Sequence, residues 1–452
     1  MEETYTQNPV VLMNGVLIDP SVSTSKSYPN STVMFQEGII TAVYKSQPPS
    51  SITPSAVIID LKNEHSILPG LVGMHEHLFY PAHLGSVLYS PSTYTAPKLY
   101  LAKGITTART TGSMHPFADI TVAQNIELGL DVGPSIRPTA PYLDGPATFA
   151  PQFNKLATKE EAIEMVQFFR NDGFTNYKAY MFINASILET CIDTAHELNA
   201  KVTGHLCSVT WTDAINRGID CLEHGILTAT DFVLEKEFDV CPDGDDLVAA
   251  IAALDPDTDH RLADLIELLV DKQVAVTSTL AIFETMVPGS PYPPQEALDK
   301  MLPEARVEYL ATKASVDADI DSPWSQAFEN EKTFEKMLVD AGGLLLGGCD
   351  PTGYGGVLSG YGDHRSIELL VDAGFTTIEA IGIYSLNGAT YLGEEDCIGG
   401  LRVGMKADVL VTKGNPAVDI HDITQVAHVF KGGIEYNTSA LLASTDGLVS
   451  WV

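Results

Sequence analysis

Basic residues are scarce in this chain. Lysine and arginine total 26 of 452 residues against 59 aspartates and glutamates, a formal net charge of −33. Nucleic acid and anionic membrane surfaces are gripped by clustered Lys and Arg, so neither is expected as a partner. Cysteine is sparse too. Cys191, Cys207, Cys221, Cys241, Cys349 and Cys397 form no CxxC pair, and so few over this length do not build a disulfide scaffold. Reduced thiols in a cytoplasmic protein are the expectation. No apolar run reaches the roughly 18–20 residues that a membrane helix needs. The opening MEETYTQNPVVLMNG has no basic segment followed by an apolar one, so no signal peptide is visible. A secreted form stays open, because the acidity also suits a salty or extracellular medium. Internal repeats and low-complexity tracts are missing as well.

What is present is ample core material, with 45% hydrophobic residues, arranged in three stretches. Residues 9–68 read as short strands, VVLMNGVLID and STVMFQEGIITAVYK, with Asn-Gly and Glu-Gly turns. The C-terminal end returns to this style in ADVLVTKG and VAHVFKGGIEY. The middle alternates strand and helix. Its candidate strands are GLVGMHEHL, GITTART, SIRPTA, TNYKAY, KVTGHL, CLEHG, AVTSTL and GGLLLGGCD. Among its helices, TKEEAIEMVQFFRNDG opens on Thr158 with Glu161 three residues on, a capping-box spacing, and ends at Gly173. Eight strands with intervening helices predict parallel pairing and a closed (β/α)8 TIM barrel, with an open doubly wound sheet as the rival. The expected organisation is α/β. Residues 69–398 form the barrel, and a small β-sandwich is made from residues 1–68 and 399–452. The insert 284–341 reads as mostly helical and is placed over the barrel mouth.

In such a barrel the chemistry sits at the C-terminal ends of the strands. His75 and His77 end the first strand two residues apart, so their rings share a face. Lys178 lies in the fourth strand, His205 ends the fifth, His224 the sixth and Asp350 the eighth. Each has a dull alternative: a satisfied core imidazole, a snorkelling amine, a turn aspartate before Pro351. Glu223, beside His224, is expected to face away from the barrel. Four histidines, a lysine and an aspartate gathered at one end of five strands are nonetheless hard to ascribe to chance.

The set, together with LPGLVGMHEHL, KGITTARTTG, LLLGGCDPTG and the C-terminal run IEAIGIYSLNGATYLGEEDCIGGLRVGMKADVLVTKGNPAVDI, resembles the amidohydrolase superfamily over nearly its whole length. The likeness is to the branch of imidazolonepropionase and Xaa-Pro dipeptidases. The resemblance implies two divalent ions, Zn first with Mn, Co or Ni as alternatives. His75 and His77 would hold one ion and His205 and His224 the other. Lys178 would bridge them as a CO2-derived carbamate, and Asp350 would touch the first ion and act as general base and then acid. Two ions of this kind acidify a water and polarise a carbonyl. Thr110 stands where relatives often carry an acid, which bears on substrate preference. Tyr142 and Asp144 in PYLDGPATF, and Tyr354 and His364 after Asp350, are candidate substrate contacts near the mouth. The function implied is hydrolysis of an amide C–N bond in a small molecule such as a dipeptide, N-acyl amino acid or aryl amide, by a homo-oligomer. A mononuclear cyclic-amide hydrolase or deaminase, a lactone or ester hydrolase, and a non-catalytic scaffold are the alternatives.

Overall fold

A computed structural model describes residues 8–46, 49, 51–82, 88–256 and 258–450. Both ends of the chain contribute to one eight-stranded sheet. Its strands are Val10–Leu17, Tyr28–Gln36, Ile39–Tyr44, Val57–Asp60, His65–Pro69, Val409–Lys413, Val426–Lys431 and Ile434–Tyr436. The first strand changes partner midway: Val10–Met13 pair with Val57–Asp60, while Val16 and Leu17 pair with Ser66 and Ile67. The change comes at Asn14–Gly15, where the register shifts and Asn14 has φ +57°. A Cβ on Gly15 would sit 2.8 Å from the Ile67 side chain. The Asn-Gly pair is therefore a bulge inside a strand and not the turn expected from its composition. Glu37–Gly38, with φ +51° and +79°, is the hairpin turn. Folding the sheet at the bulge buries Leu12, Val33, Phe35, Ile67, Val409 and Phe430 in one cluster. Phe35 meets Phe430 edge-on at 5.1 Å. This is the β-sandwich built from both termini.

The middle of the chain is the (β/α)8 barrel. Its strands are β1 (Leu71–Glu76), β2 (Ile105–Thr110), β3 (Ser135–Arg137), β4 (Asn176–Ala179), β5 (Lys201–Gly204), β6 (Cys221–Glu223), β7 (Ala275–Ser278) and β8 (Leu345–Gly347). All pair in parallel, as β1–β2–β3 and as β4 through β8. Two contacts close the ring. A bridge joins Thr139, beyond β3, to Asn176 of β4, and the Asp350 amide donates to the His75 carbonyl at 3.0 Å. The second contact needs Gly348, because a Cβ there would lie 2.4 Å from the His75 Cβ.

Helices return the chain between strands. The helix Lys159–Asn171 carries the expected cap: Thr158 accepts from the Glu161 amide, and Glu161 accepts from the Thr158 amide. Such a cap is worth about 1 kcal/mol. The 284–341 insert is helical as expected, but only in part over the mouth. Helix Pro303–Ala318 presents Tyr309 to Tyr354 at 5.8 Å. Helix Trp324–Asp340 carries Glu331 against Leu227 and Glu335 against Ser278, on the barrel flank.

One expectation about thiols fails. Cys207 and Cys241 are joined in a disulfide, leaving Cys191, Cys221, Cys349 and Cys397 free. The bond ties the loop that follows His205 to a segment 34 residues on, and the cysteines meet only because the barrel brings those loops together. No helix of the described residues is long and apolar enough to cross a membrane.

Candidate metal centre

The strand order brings His75, His77, Lys178, His205, His224 and Asp350 to one end of the barrel. His75 and His77 stand 5.3 Å apart between ring centroids, while Glu76 between them points the other way, accepting from the Cys349 thiol at 3.0 Å. The His75 ring lies 4.4 Å from that of His224, which lies 4.5 Å from that of His205. Asp350 Oδ1 is 3.1 Å from His77 Nε2 and 3.8 Å from His75 Nε2, and its Oδ2 is 3.7 Å from His224 Nδ1. The Lys178 amine is 3.2 Å from His75 Nε2. Backbone bonds to the neighbouring strand hold each group at its strand end: His205 N to the Ala179 carbonyl, His224 N to Thr277, Asp350 N to His75. His224 and Asp350 take left-handed backbone, φ +77° and +49°. Such strain gathers where a side chain must be aimed against local preference.

Burial dominates the electrostatics. It pushes the His75 imidazole down to about 4 and His205 to about 3, and lowers His77 and His224 as well. These rings stay neutral near pH 7 and keep a lone pair for a cation. Burial also pulls the Lys178 amine down to about 8. Burial alone would raise Asp350, but the His75, His77 and His224 rings together hold it well below the usual carboxylate range. The donor atoms of His75, His77 and Asp350 lie within 4.8 Å of one another. Neutral imidazoles and an ionised carboxylate at that spacing fit a divalent transition ion.

Glu223 is buried beneath these histidines and not turned outward as expected. Its Oε2 accepts from His75 Nδ1 at 2.7 Å, and its Oε1 accepts from the Arg109 guanidinium at 2.8 Å and from the Thr203 hydroxyl. Strand alternation would put Glu223 and His224 on opposite faces. The left-handed turn at His224 breaks the alternation and lets both face inward. The Glu223 carboxylate fixes the proton of His75 on Nδ1 and leaves Nε2 open. A partner of this kind is as much part of a metal site as its ligands. Thr279 does similar work on the other side, its hydroxyl 2.8 Å from His224 Nδ1.

The remaining candidates divide. Tyr142 is buried in the cluster, its ring 6.5 Å from that of His77 and 5.6 Å from the Lys178 amine. Tyr354 is not available, since its hydroxyl donates to the Thr285 carbonyl. His364 is not in the cluster either. Its Nε2 pairs with the Lys103 carbonyl at 2.7 Å, in the wall of a separate cavity of about 480 Å3 beside Tyr361 and Arg365. Asp144 shapes its own loop, accepting from the Gly145 and Phe182 amides. Thr110 fastens β2 to the segment after β3, accepting from the Thr139 amide at 2.9 Å. Sequence reasoning passed over Tyr180, 4.8 Å from His205, and Phe79, stacked on His77 at 4.3 Å. Their only signal was nearness to ligands along the chain.

Behind His224, Glu331 accepts from the Leu227 amide at 3.1 Å, and Glu335 accepts from the Ser278 hydroxyl at 3.0 Å. Burial pushes both carboxyls up, Glu335 to about 8. The folded chain then keeps a proton on Glu335 that the unfolded chain gives up near pH 4.5, so this group's stabilisation is lost as pH rises from about 4.5 towards 8. Glu335→Gln should remove that loss. Relative to the parent, the variant should gain stability between pH 5 and pH 8 in urea melts; an unchanged difference would contradict the assignment.

Several solved structures share this architecture. A candidate prolidase from Bifidobacterium longum is 20% identical, with 97% of this chain and 99% of that chain covered at a TM-score of 0.67. A Xaa-Pro dipeptidase with methionine bound in its active site is 18% identical over 95% and 100% of the two chains, at 0.68. An ochratoxinase from A. niger is 17% identical over 95% and 96%, at 0.64. Likeness at these identities establishes the fold. No curated protein matches in sequence. The amidohydrolase family model matches residues 66–435, and the chain belongs to that family of metal-dependent hydrolases acting on carbon–nitrogen bonds.

Proposed function

We propose that this chain is a binuclear hydrolase that cuts an amide bond in a small molecule. His75 and His77 would hold one ion and His205 and His224 the other, with Lys178, as a carbamate, supplying the charge between them. The observation that carries the reading is the lysine. Lys178 is almost wholly buried, its amine lies 3.2 Å from His75 Nε2, and burial favours its neutral form, the form that adds CO2. Two divalent ions, zinc first, would supply an acidified water and a polarised scissile carbonyl. Asp350 then takes the proton from the attacking water and delivers it to the leaving nitrogen. Its contacts with three imidazoles keep it ionised. Glu223 and Thr279 hold His75 and His224 in position. The Cys207–Cys241 disulfide and the acidity favour the secreted form over the cytoplasmic one, because disulfides persist in oxidising compartments.

Metal analysis of protein grown in zinc should find about two ions per chain. The zinc-loaded enzyme should hydrolyse at least one member of a panel of dipeptides, N-acyl amino acids, anilides and lactones. One ion per chain would favour the mononuclear alternative. No bound metal and no hydrolysis would overturn the reading.

A further inference from the structure

Two sets of aromatic rings flank the His205–His224 pair. On one side Tyr142 stacks on Phe153 at 4.3 Å, and Tyr180 stands edge-on to both, at 5.1 and 4.8 Å. Phe149 extends this wall to Tyr180 and Phe182, at 6.4 and 6.2 Å. On the other side Phe283 lies 5.6 Å from His224 and stacks on Trp324 at 5.9 Å. Tyr142 and Phe153 are buried, but Tyr180, Phe182, Phe283 and Trp324 are only half-buried, and Phe149 is 48% exposed. The rings thus keep apolar surface in water next to the candidate ligands, at about 25 cal/mol for each Å2.

Charge narrows the occupant further. Among the described residues the only basic side chain stacked on these rings is Lys178, which the reading above turns into a carbamate and so removes as a cation. The Arg109 guanidinium is closed off by Glu223 and the Met74 carbonyl. A dipeptide or N-acyl amino acid brings a free carboxylate that the rings do nothing to neutralise. A flat neutral ring is complementary to them face-on and edge-on.

We propose that the substrate is a neutral amide with an aromatic ring next to the scissile bond, received between the Tyr180–Phe149 wall and the Phe283–Trp324 wall. This rests on the hydrolase reading above.

Hydroxamates separate the two, because their chelating group reports the metal and their substituent reports the walls. Calorimetric titration of the zinc-loaded full chain should show benzohydroxamate binding about tenfold or more tighter than acetohydroxamate. Phe149→Ala and Trp324→Ala should each narrow that ratio at unchanged zinc content. 4-Carboxybenzohydroxamate, the same ring with a free carboxylate, should bind more weakly than benzohydroxamate. Equal binding of the benzo and aceto compounds, ratios unmoved by both variants, or tighter binding of the carboxylated ring would overturn the aromatic proposal and leave the metal reading intact. A zinc-loaded chain that binds no hydroxamate would overturn both.

Discussion

Lys178→Ala should strip the chain of most of its bound metal and reduce turnover by more than the roughly 10–100-fold that follows loss of a group orienting a ligand. Lys178 is the one candidate ligand that cannot serve in its ordinary state, since a protonated ammonium has three donors and no acceptor. Burial shifts it towards the neutral amine, at about 8, and CO2 adds to that amine with release of a proton. On the reading proposed above, the carbamate would supply the negative charge that a pair of divalent ions needs. Without it, His75, His77, His205 and His224 would offer neutral nitrogens and Asp350 the single negative charge, too little to hold two dications that repel each other. A small carboxylate such as formate or propionate, supplied in buffer, should restore part of both metal and activity by filling the space of the lost side chain. The competing reading makes Lys178 a packing residue over Tyr142 and Tyr180. It predicts a slightly destabilised variant with normal metal and turnover. Metal content and kcat of Lys178→Ala, with and without propionate, decide between them.

The parts of this centre that were legible in the sequence are those that follow strand periodicity. His75 and His77, two apart at the end of β1, share a face because side chains alternate, and the eight strands fall where apolar β-branched runs alternate with helical ones. What was not legible depends on departures from those rules. Asn14–Gly15 has turn composition but becomes a bulge, because two different strands compete for the first strand of the sheet. Glu223 was expected outside by alternation, and the left-handed backbone of His224 overrides it. Cys207 and Cys241 have no local signal, since the barrel alone brings their loops together. Tyr354 and His364 lie near Asp350 along the chain, but their polar atoms are taken by the Thr285 and Lys103 carbonyls.

Glu223 is where fold and site meet, and its substitution should separate the two. Its carboxylate is wholly buried between Arg109, Thr203 and His75. Burial alone would raise its proton affinity, but the Arg109 charge and the His75 ring hold it well below the usual carboxylate range. Glu223→Ala would leave the Arg109 guanidinium buried with no counter-charge, at about 3–5 kcal/mol in stability, enough to unfold many domains. Glu223→Gln keeps the volume and a carbonyl acceptor but loses the charge and one acceptor oxygen. That variant should fold, with metal affinity lowered roughly 10–100-fold, the usual result of removing a group that orients a ligand. The double variant Arg109→Met, Glu223→Leu removes the stranded charge together with its partner. It should recover much of the stability lost in Glu223→Ala, yet still bind metal poorly, because His75 Nδ1 has no acceptor. Urea melts and zinc titrations of the three variants would read the two effects independently. Zinc affinity in Glu223→Gln equal to that of the parent would refute the orienting role, and a double variant that regains both properties would show Glu223 to be a counter-ion for Arg109 and nothing more.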